Sequence, residues 1–335
     1  MKILLSLFLL FVVSCSQKQA IEIAISGKTM GTTYNIKVVQ GVDEQLDVAA
    51  LQAEIDDALI QVNALMSTYD PDSELSQLNR TEAGQAFPIS EKTEFVLQEA
   101  IRLHKVSEGT LDITVGPLVN LWGFGPDKRP EVIPTQSQLD EIRDYVGIDK
   151  FRMKDGVVTK LHSKLYIDLS TIAKGYGVDV VADIIEQNQI NNYLVEIGGE
   201  MRVAGNKANG ADWRIAIEKP IIGERAVQKI ISIGDNAIAT SGDYRNYYEQ
   251  DGIRYSHLIE PNTGKPIAHN LVSVTVVHPS SMTADGLATA LNVMGAERAK
   301  ALAVKNNLAV FMIVKVGDEF VEYASPAFTQ DITQH

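Results

Sequence analysis

Cysteine is the residue that this chain of 335 residues has least of, because Cys15 is the only one. A single thiol excludes an internal disulfide and a metal site built from several thiolates. Six histidines with one cysteine also argue against a zinc centre. The common catalytic patterns are missing as well, since the sequence contains no G-x-S-x-G, H-E-x-x-H or Walker loop.

A surplus of basic residues is also lacking. The sequence has 30 Lys and Arg residues and 43 Asp and Glu residues, which gives a net charge of −13. A chain this acidic is a poor match for a phosphate backbone, so we exclude nucleic acid as a general partner. The contents of 45% hydrophobic and 22% charged residues are those of a globular protein. They exclude a wholly disordered, collagen-like or coiled-coil chain, and the length allows one large domain or two smaller ones.

No apolar run is long enough to span a bilayer, which takes about 20 residues. A shorter run lies at the start, where Lys2 precedes residues 3–13, all apolar except Ser6. This arrangement predicts an export signal. Residues 12–15, Val-Val-Ser-Cys, resemble the bacterial lipobox, in which the cysteine is acylated and becomes the mature N-terminus. We therefore expect a signal peptide over residues 1–14 and a lipid-anchored tether over residues 15–25. The alternative is an ordinary signal peptide with an incidental cysteine.

Hydrophobic periodicity predicts the elements of the remaining chain. Apolar residues at three- and four-residue steps predict helices over residues 48–65, 93–106, 171–187 and 285–294. Thr135 and Gln138 form a capping-box pattern that predicts a further helix up to about residue 145. Grouped strands and helices favour an α+β fold over a doubly wound sheet, with two interleaved lobes that share one body. Strands are predicted over residues 29–39, 164–167, 193–197, 201–204, 213–217, 229–233, 254–258, 271–277 and 308–314.

Three polar segments carry candidate chemistry. Residues 168–177 lead into a predicted helix, and a helix N-terminus with Lys174 beside it suits a bound phosphate. Asp285 and Thr289 share one helix face, where their hard oxygens suit Mg²⁺. His257 lies beside a turn and suits proton transfer. Each segment also has a purely structural interpretation: a plain helix start, a dipole-favoured Asp near a buried Thr, and a satisfied structural histidine.

Three further segments combine glycine, hydroxyl and aromatic residues. In residues 27–32 the glycines either let the backbone approach a ligand or form a plain turn. In residues 67–76 Tyr69 lies beside a turn, where its ring either stacks on a planar ligand or packs locally. Residues 109–117 precede Trp122 and Phe124, which form either the walls of a pocket or part of the core.

The order of these motifs is more informative than any one of them. They fall at residues 30–32, 69–79, 112–119, 168–176, 196–200, 257–264 and 283–290. In this order they closely resemble the ApbE family, the FAD:protein FMN transferases, over about residues 26–325. The resemblance implies one catalytic domain over these residues, followed by a C-terminal tail at residues 326–335.

The resemblance implies an α+β, T-fold-like architecture with FAD in the cleft between the lobes. It also implies that FAD is cleaved, that FMN joins a Thr or Ser hydroxyl of an acceptor protein through a phosphoester, and that AMP leaves with the help of Mg²⁺. The family's acceptors are subunits of membrane redox complexes, such as Na⁺-translocating NADH:quinone reductase and Rnf-type complexes. Two alternatives stay open: a periplasmic FAD pyrophosphatase that gives FMN and AMP, and a non-catalytic flavin-binding lipoprotein.

Matching the motifs one by one implies the site residues. The metal is expected on the side chains of Asp285 and Thr289 and the carbonyl of Ala173. His257 or Asp285 is expected to help remove the proton of the acceptor hydroxyl. With Cys15 lipidated, the protein is expected on a membrane, facing the periplasm. Relatives that mainly hydrolyse FAD tend to carry Asn at the position of Tyr69, which favours transfer here. The residues expected to bind FAD are Met30, Tyr69, Thr110, Leu111, Asp112, Ser170, Lys174, Tyr176, His257 and Ile259.

Overall fold

The computed structural model describes residues 20–42, 45–125, 133–221, 226–243, 246–250 and 253–335. Cys15 and the predicted signal peptide lie outside these residues. Among the described residues, no helix combines the length and apolarity that crossing a membrane requires. The helices are α1 (Val48–Met66), α2 (Glu74–Asn79), α3 (Glu91–Val106), α4 (Gly116–Leu121), α5 (Gln136–Arg143), α6 (Ala173–Gln187), α7 (Ser281–Met294), α8 (Ala296–Lys305) and α9 (Pro326–Asp331).

The strands outnumber the helices, and most of them are short. In chain order they are β1 (Ile21–Thr29), β2 (Thr32–Gln40), β3 (Ala86–Pro88), β4 (Phe151–Lys154), β5 (Val157–Lys160), β6 (Tyr193–Ile197), β7 (Glu200–Ala204), β8 (Ile215–Glu218), β9 (Val227–Ser232), β10 (Ala237–Gly242), β11 (Tyr247–Gln250), β12 (Ile253–Ser256), β13 (Ile259–Glu260), β14 (Lys265–Pro266), β15 (Leu271–His278), β16 (Ala309–Val316), β17 (Glu319–Ala324) and β18 (Thr333–Gln334).

One large sheet organises the described part of the chain. It has eight strands in the order β1-β2-β6-β7-β10-β15-β16-β17, and each neighbouring pair is antiparallel. Two three-stranded sheets, β18-β9-β8 and β3-β5-β4, and the hairpins β11-β12 and β13-β14 surround it. Antiparallel sheets with grouped helices confirm the predicted α+β class.

The large sheet is covered on both faces at its interior strand β15, which is buried along nearly its whole length. Val276 packs in the cluster that contains α7, whereas its neighbour Val277 packs in the cluster of the three-stranded sheet β18-β9-β8. Successive side chains of a strand point to opposite faces, so β15 separates two cores. Helices α6 and α7 pack against each other and against the first of these faces.

Most predicted elements are present, with shifted ends. The strand predicted over residues 29–39 begins later, because Met30 and Gly31 adopt φ of 48° and 69° and form the turn between β1 and β2. The capping box of Thr135 and Gln138 is confirmed at the start of α5. The helix predicted from residue 285 begins earlier, at Ser281.

Three predictions about chain organisation are wrong. Residues 164–167 form no strand, because the backbone N–H and C=O of Ile167 pair with the side chain of Asn79 instead of a neighbouring strand. Residues 21–25, assigned to a tether, belong to β1 and pair with β2. Residues 326–335, assigned to a tail, contain α9 and β18, and Phe328 is fully buried against Phe311. The periodic pattern of so short a segment was too weak to show its burial.

Candidate active site

A cavity of about 420 Å³ collects most of the predicted site residues. We call it the central cavity. It lies where the start of α6, the middle of α7, the end of β10 and the loop before α4 meet. Segments far apart in the sequence therefore face one space. The predicted residues that line it are Tyr69, Thr110, Leu111, Asp112, Ser170, Lys174, His257, Ile259, Asp285 and Thr289.

A second cavity of about 570 Å³, the side cavity, adjoins the first. Met30 and Ala173 line only this one of the two. The two cavities share Tyr69, Ser170 and Lys174, as well as Asp168. The ring of Tyr69 is 73% exposed, which leaves it free to cover a planar ligand that extends from one cavity into the other.

The approach of α6 to α7 depends on a glycine. The carboxylate of Asp285 accepts a hydrogen bond of 3.0 Å from the backbone N–H of Gly175 in the first turn of α6. A Cβ atom at Gly175 would lie 2.3 Å from the carbonyl oxygen of Ser281 and 2.8 Å from the Cβ of Asp285. Only a residue without a side chain allows this contact, so Gly175 sets the position of Asp285 relative to the start of α6.

One cation and two carboxylates meet at this contact. The Nζ of Lys174 lies 2.6 Å from an oxygen of Glu200, whose other carboxylate oxygen is buried and has no hydrogen-bond partner among the described residues. Burial raises the pKa of Asp285 to about 7, although Lys174 opposes this change. Burial alone would lower the pKa of Lys174, but the charges of Asp285 and Glu200 outweigh burial and raise that pKa.

The donor atoms at the start of α6 and along α7 suit a hard divalent cation. Asp285 and Thr289 lie one turn apart on α7 and face the central cavity, and Ala173 is the first residue of α6. A carboxylate, a hydroxyl and a carbonyl offer only oxygen, which Mg²⁺ prefers. In the described ranges, no three His, Cys, Asp or Glu residues are grouped as a metal site. The mixed oxygen set is therefore the arrangement that fits the expected Mg²⁺.

His257 follows β12 and is held in one orientation. Its Nδ1 lies 2.9 Å from the carbonyl oxygen of Asn246, and its ring meets Phe124 edge-on at 6.3 Å. Burial lowers the pKa of His257 despite the opposing hydrogen bond to Asn246. Because a carbonyl only accepts, Nδ1 carries the proton of the neutral ring, and Nε2 keeps a lone pair that can accept one.

A series of stacked aromatic rings packs against His257 through Phe124. Phe124 stacks on Tyr248 at 5.3 Å, Tyr248 on Tyr255 at 5.1 Å, and Tyr255 on Trp122 at 5.5 Å. Of the two interpretations of Trp122 and Phe124, pocket wall and core, each therefore holds for one of the residues. Phe124 lines the central cavity, whereas Trp122 is buried and donates its indole N–H to the carbonyl of Gly264.

The loop before α4 is fixed to α7. The hydroxyl of Thr110 donates to the carbonyl of Ala290 at 3.0 Å, and Asp112 accepts from the N–H and the hydroxyl of Thr114 at 2.8 and 2.6 Å. Burial raises the pKa of Asp112 against these two hydrogen bonds. The loop is thus tied to α7 at the residue that follows Thr289.

Tyr176 does not join the other predicted residues. It lines neither cavity, and its side chain, 7% exposed, packs in the core with its ring 6.3 Å from that of Phe95. Each residue of a helix turns by about 100°, so Lys174 and Tyr176, two residues apart, point in nearly opposite directions. The side chain of Tyr176 thus faces away from both cavities, and the expectation that Tyr176 contacts FAD stays a prediction.

Two acidic residues of the site were not among those predicted. Asp168 lines both cavities, and its carboxylate accepts from the N–H of Ser170 at 2.8 Å. Glu200 lines the central cavity and pairs with Lys174. Both residues belong to recognised motifs, at residues 168–176 and 196–200, but only their place in the fold shows that they face the cavity.

Comparisons with known proteins agree with this geometry. A profile of the ApbE family matches residues 30–312. A curated protein of Vibrio cholerae serotype O1, named FAD:protein FMN transferase, is 55% identical over 322 residues, which cover 96% of this chain and 95% of that protein. A protein of Haemophilus influenzae with the same name is 50% identical over 318 residues, covering 93% of this chain and 92% of its own length.

Solved structures give the same result. The flavin transferase ApbE from Vibrio cholerae superposes with a TM-score of 0.87 at 54% identity, covering 93% of this chain and 99% of that one. The flavinyl transferase ApbE of Pseudomonas stutzeri, in its apo form, has a TM-score of 0.86 at 38% identity and covers 93% and 97% of the two chains. Because the family profile spans more than half of the sequence and the relatives match nearly all of it, the chain belongs to the ApbE family.

Proposed function

We propose that this protein cleaves FAD and attaches FMN to a hydroxyl of an acceptor protein, with release of AMP. One observation carries the proposal. Lys174, the start of α6 and the oxygens of Asp285 and Thr289 face one cavity, in a chain similar over nearly its whole length to FAD:protein FMN transferases. This set of groups suits a pyrophosphate and is what phosphoryl transfer needs, since that reaction depends on positioning and charge.

FAD extends across both cavities in this proposal. Its pyrophosphate lies at the N-terminus of α6, where the helix dipole gives a partial positive charge that favours an anion. Lys174 adds a full positive charge at the junction of the cavities. Tyr69, exposed at the same junction, covers the isoalloxazine ring. Met30 supports the ligand from the side cavity, and residues 110–112 support it from the central one.

Mg²⁺ is held by the side chains of Asp285 and Thr289 and by the carbonyl of Ala173. When bound, the metal supplies positive charge to the pyrophosphate oxygens as the leaving phosphate develops its charge. Asp285 also accepts from Gly175, so its orientation is fixed before any ligand arrives. A preoriented carboxylate loses little freedom on binding, which favours metal affinity.

The chemical step is one displacement at phosphorus. The acceptor hydroxyl oxygen forms a bond to the phosphorus of the FMN half, and the bond from that phosphorus to the oxygen of the AMP half breaks. The hydroxyl proton passes to Nε2 of His257, which is neutral because burial lowers its pKa and Nδ1 is hydrogen-bonded to Asn246. The released AMP carries the leaving oxygen.

The acceptors proposed are subunits of membrane redox complexes of the Na⁺-translocating NADH:quinone reductase or Rnf type. The protein meets them while anchored through acylated Cys15 to a membrane, on its periplasmic side. This proposal is supported by the lipobox-like sequence at residues 12–15. Fractionation of cells tests it: Cys15→Ser protein is expected in the soluble fraction, and retention on the membrane contradicts the lipid anchor.

A transfer assay tests the proposed function. Full-length protein in detergent is incubated with FAD, Mg²⁺ and a folded acceptor domain with a Ser/Thr-Gly-Ala-Thr/Ser site. We expect in-gel flavin fluorescence on the acceptor and release of AMP. Asp285→Asn keeps the shape of the side chain and is expected to abolish both signals. Asp318→Asn, at an exposed turn between β16 and β17, is the matched control.

The same assay separates the alternatives. AMP released at an equal rate without acceptor, with a dark acceptor band, indicates an FAD pyrophosphatase. FAD binding without any AMP, with or without metal, indicates a flavin-binding lipoprotein. Either outcome contradicts the transferase proposal, provided that circular dichroism shows the acceptor to be folded.

A further inference from the structure

A third cavity opens from the active site. This edge groove, of about 210 Å³, lies between strand β8 and the neighbouring ends of β7 and β10. It shares Gly198, Glu200, Thr240 and Gly242 with the central cavity, so the two spaces adjoin. The groove shares no lining residue with the side cavity. It therefore offers a way to the charged centre that FAD, placed in the other two cavities, leaves open.

The wall formed by β8 is the edge of a sheet. In the order β18-β9-β8, strand β8 pairs with β9 on one side only. Ala216 of β8 lies opposite Ile230 of β9, and the carbonyl of Ile230 accepts from His335 beyond β18. In an antiparallel ladder the N–H and C=O of one residue point to the same side. The N–H and C=O of Ala216 therefore point away from β9.

This outward edge is exposed. In the part of the chain that the structure describes, no backbone hydrogen bond outside the ladder reaches Ala216, and its side chain is exposed. Its neighbours Ile215 and Ile217 point into the core instead. A strand with free backbone donors and acceptors on one side is a template for pairing with another extended chain.

The inner end of the groove holds an unused hydrogen-bond acceptor. Glu200 is 5% exposed, and Lys174 binds one of its carboxylate oxygens at 2.6 Å. The other oxygen is buried and has no partner among the described residues. A buried carboxylate oxygen without a partner is costly, so it points to a hydrogen-bond donor supplied by a ligand.

We propose that the edge groove binds an extended segment of the acceptor protein, which pairs with the free edge of β8 and brings its hydroxyl to the phosphorus of the FMN half. This inference rests on the proposed function. The free oxygen of Glu200 accepts from a backbone N–H of the bound segment beside the reacting residue. The hydroxyl oxygen bonds to phosphorus, the bond to AMP breaks, and the proton passes to Nε2 of His257.

The chemistry of the groove selects an extended segment with small side chains. Gly198, Gly199, Gly242 and Ala216 are among the residues that line it, so part of its wall is backbone that a segment with small side chains can approach closely. Strand addition supplies affinity through main-chain hydrogen bonds and tolerates different sequences. One enzyme can therefore serve several acceptors that share little more than a hydroxyl between small residues.

Two substitutions of Ala216 test the proposal in the full-length protein with the acceptor domain described above. Ala216→Pro removes the outward N–H and leaves the ladder to β9 intact, and edge strands tolerate proline. Ala216→Arg fills the groove from an exposed position. For both, we expect the KM for the acceptor domain to rise at least about tenfold, because strand addition is lost. The affinity for FAD, from quenching of flavin fluorescence, is expected within about twofold, because Ala216 lines neither other cavity.

The control is Val321→Arg, which places the same side chain on β17, the edge of the large sheet and 48% exposed in its native form. It is expected to behave as wild type. If Ala216→Pro proves unfolded by circular dichroism, Ala216→Arg decides alone, because it keeps every ladder bond.

A binding measurement keeps this test separate from the proposed function. The acceptor domain with its target hydroxyl residue replaced by Ala is labelled, and fluorescence anisotropy reports its binding. We expect binding to wild type and to Val321→Arg, and at least about tenfold weaker binding to Ala216→Arg. Equal binding and an equal acceptor KM in Ala216→Arg overturn the groove. If wild type binds the domain through Ala216 but transfers no flavin, the proposed function fails and the groove stands.

Discussion

Gly175→Ala perturbs the contact on which the proposed metal site depends. The added Cβ would lie 2.3 Å from the carbonyl oxygen of Ser281, whereas ordinary van der Waals contact begins at 3.4 Å. The neighbour is backbone, so it cannot rotate away. The start of α6 and the first turns of α7 must therefore separate by about 1 Å. Ala173 and Asp285 lie on opposite sides of this contact, so their oxygens move apart.

The effect on stability is expected to be small and the effect on rate large. Alanine is favoured over glycine inside a helix by about 1 kcal/mol. Overpacking costs about 1–3 kcal/mol, so the net loss of unfolding free energy is about 0–2 kcal/mol and the protein stays folded. A misplacement of about 1 Å in a catalytic site can reduce the rate about 100-fold. We expect flavin transfer to slow by that factor.

The assay measures the initial rate of flavin transfer at saturating FAD and acceptor over a series of Mg²⁺ concentrations. We expect the half-saturating Mg²⁺ concentration of Gly175→Ala to rise at least about tenfold. Gly286→Ala is the matched control next to Asp285. Its Cβ would lie 2.5 Å from Cδ1 of Leu103, the end of a flexible side chain that can move. If Gly175→Ala keeps the rate and Mg²⁺ dependence of wild type, the close approach at Gly175 does not position Asp285 for the metal.

Three further predictions concern the surroundings of the site. Asp179 accepts from the hydroxyl of Ser280 and from two N–H groups at the start of α7, so Asp179→Asn should cost about 2 kcal/mol and lower the Tm by about 4 °C in a thermal melt. A Tm equal to that of wild type contradicts this role. At saturating Mg²⁺, which keeps Asp285 ionised, the lowered pKa of His257 predicts a transfer rate that is level at neutral pH and falls as pH drops below that pKa, because protonation removes the base. His257→Gln should lack this acidic limb in a pH–rate profile, and its persistence assigns the limb to another group. Lys160 is fully buried and donates to the carbonyls of Asn79 and Ser163, so Lys160→Met should cost about 2–4 kcal/mol in urea unfolding, and a loss near zero contradicts it.

The sequence predicts the long helices well, because their apolar residues recur over several turns. Helix α1 is an example, since its buried residues include Leu51, Ile55 and Leu59, which share one face. Short elements are different. Residues 164–167 have the alternation of a strand, but Asn79, distant in the sequence, pairs with the backbone of Ile167. The local pattern of apolar residues cannot show a contact with a residue so far away in the sequence.

The candidate site, too, is predicted in part from the sequence. The motif order identifies many of the residues that line the central cavity, because each motif carries a chemical type at a fixed place in the chain. The motif order does not show which way a side chain points. Tyr176 follows Lys174 closely in the sequence, yet its side chain points into the core. Nor does the motif order reveal the ion pair of Lys174 with Glu200, which forms only when β7 lies beside the start of α6.

Mass spectrometry of the acceptor domain after reaction with FAD and Mg²⁺ tests the transfer of FMN directly. We expect a mass gain of one FMN less one water on the target Ser or Thr, with one AMP released for each FMN attached. Wild-type protein that consumes FAD while a folded acceptor keeps its original mass would show that this protein is not an FMN transferase for that acceptor.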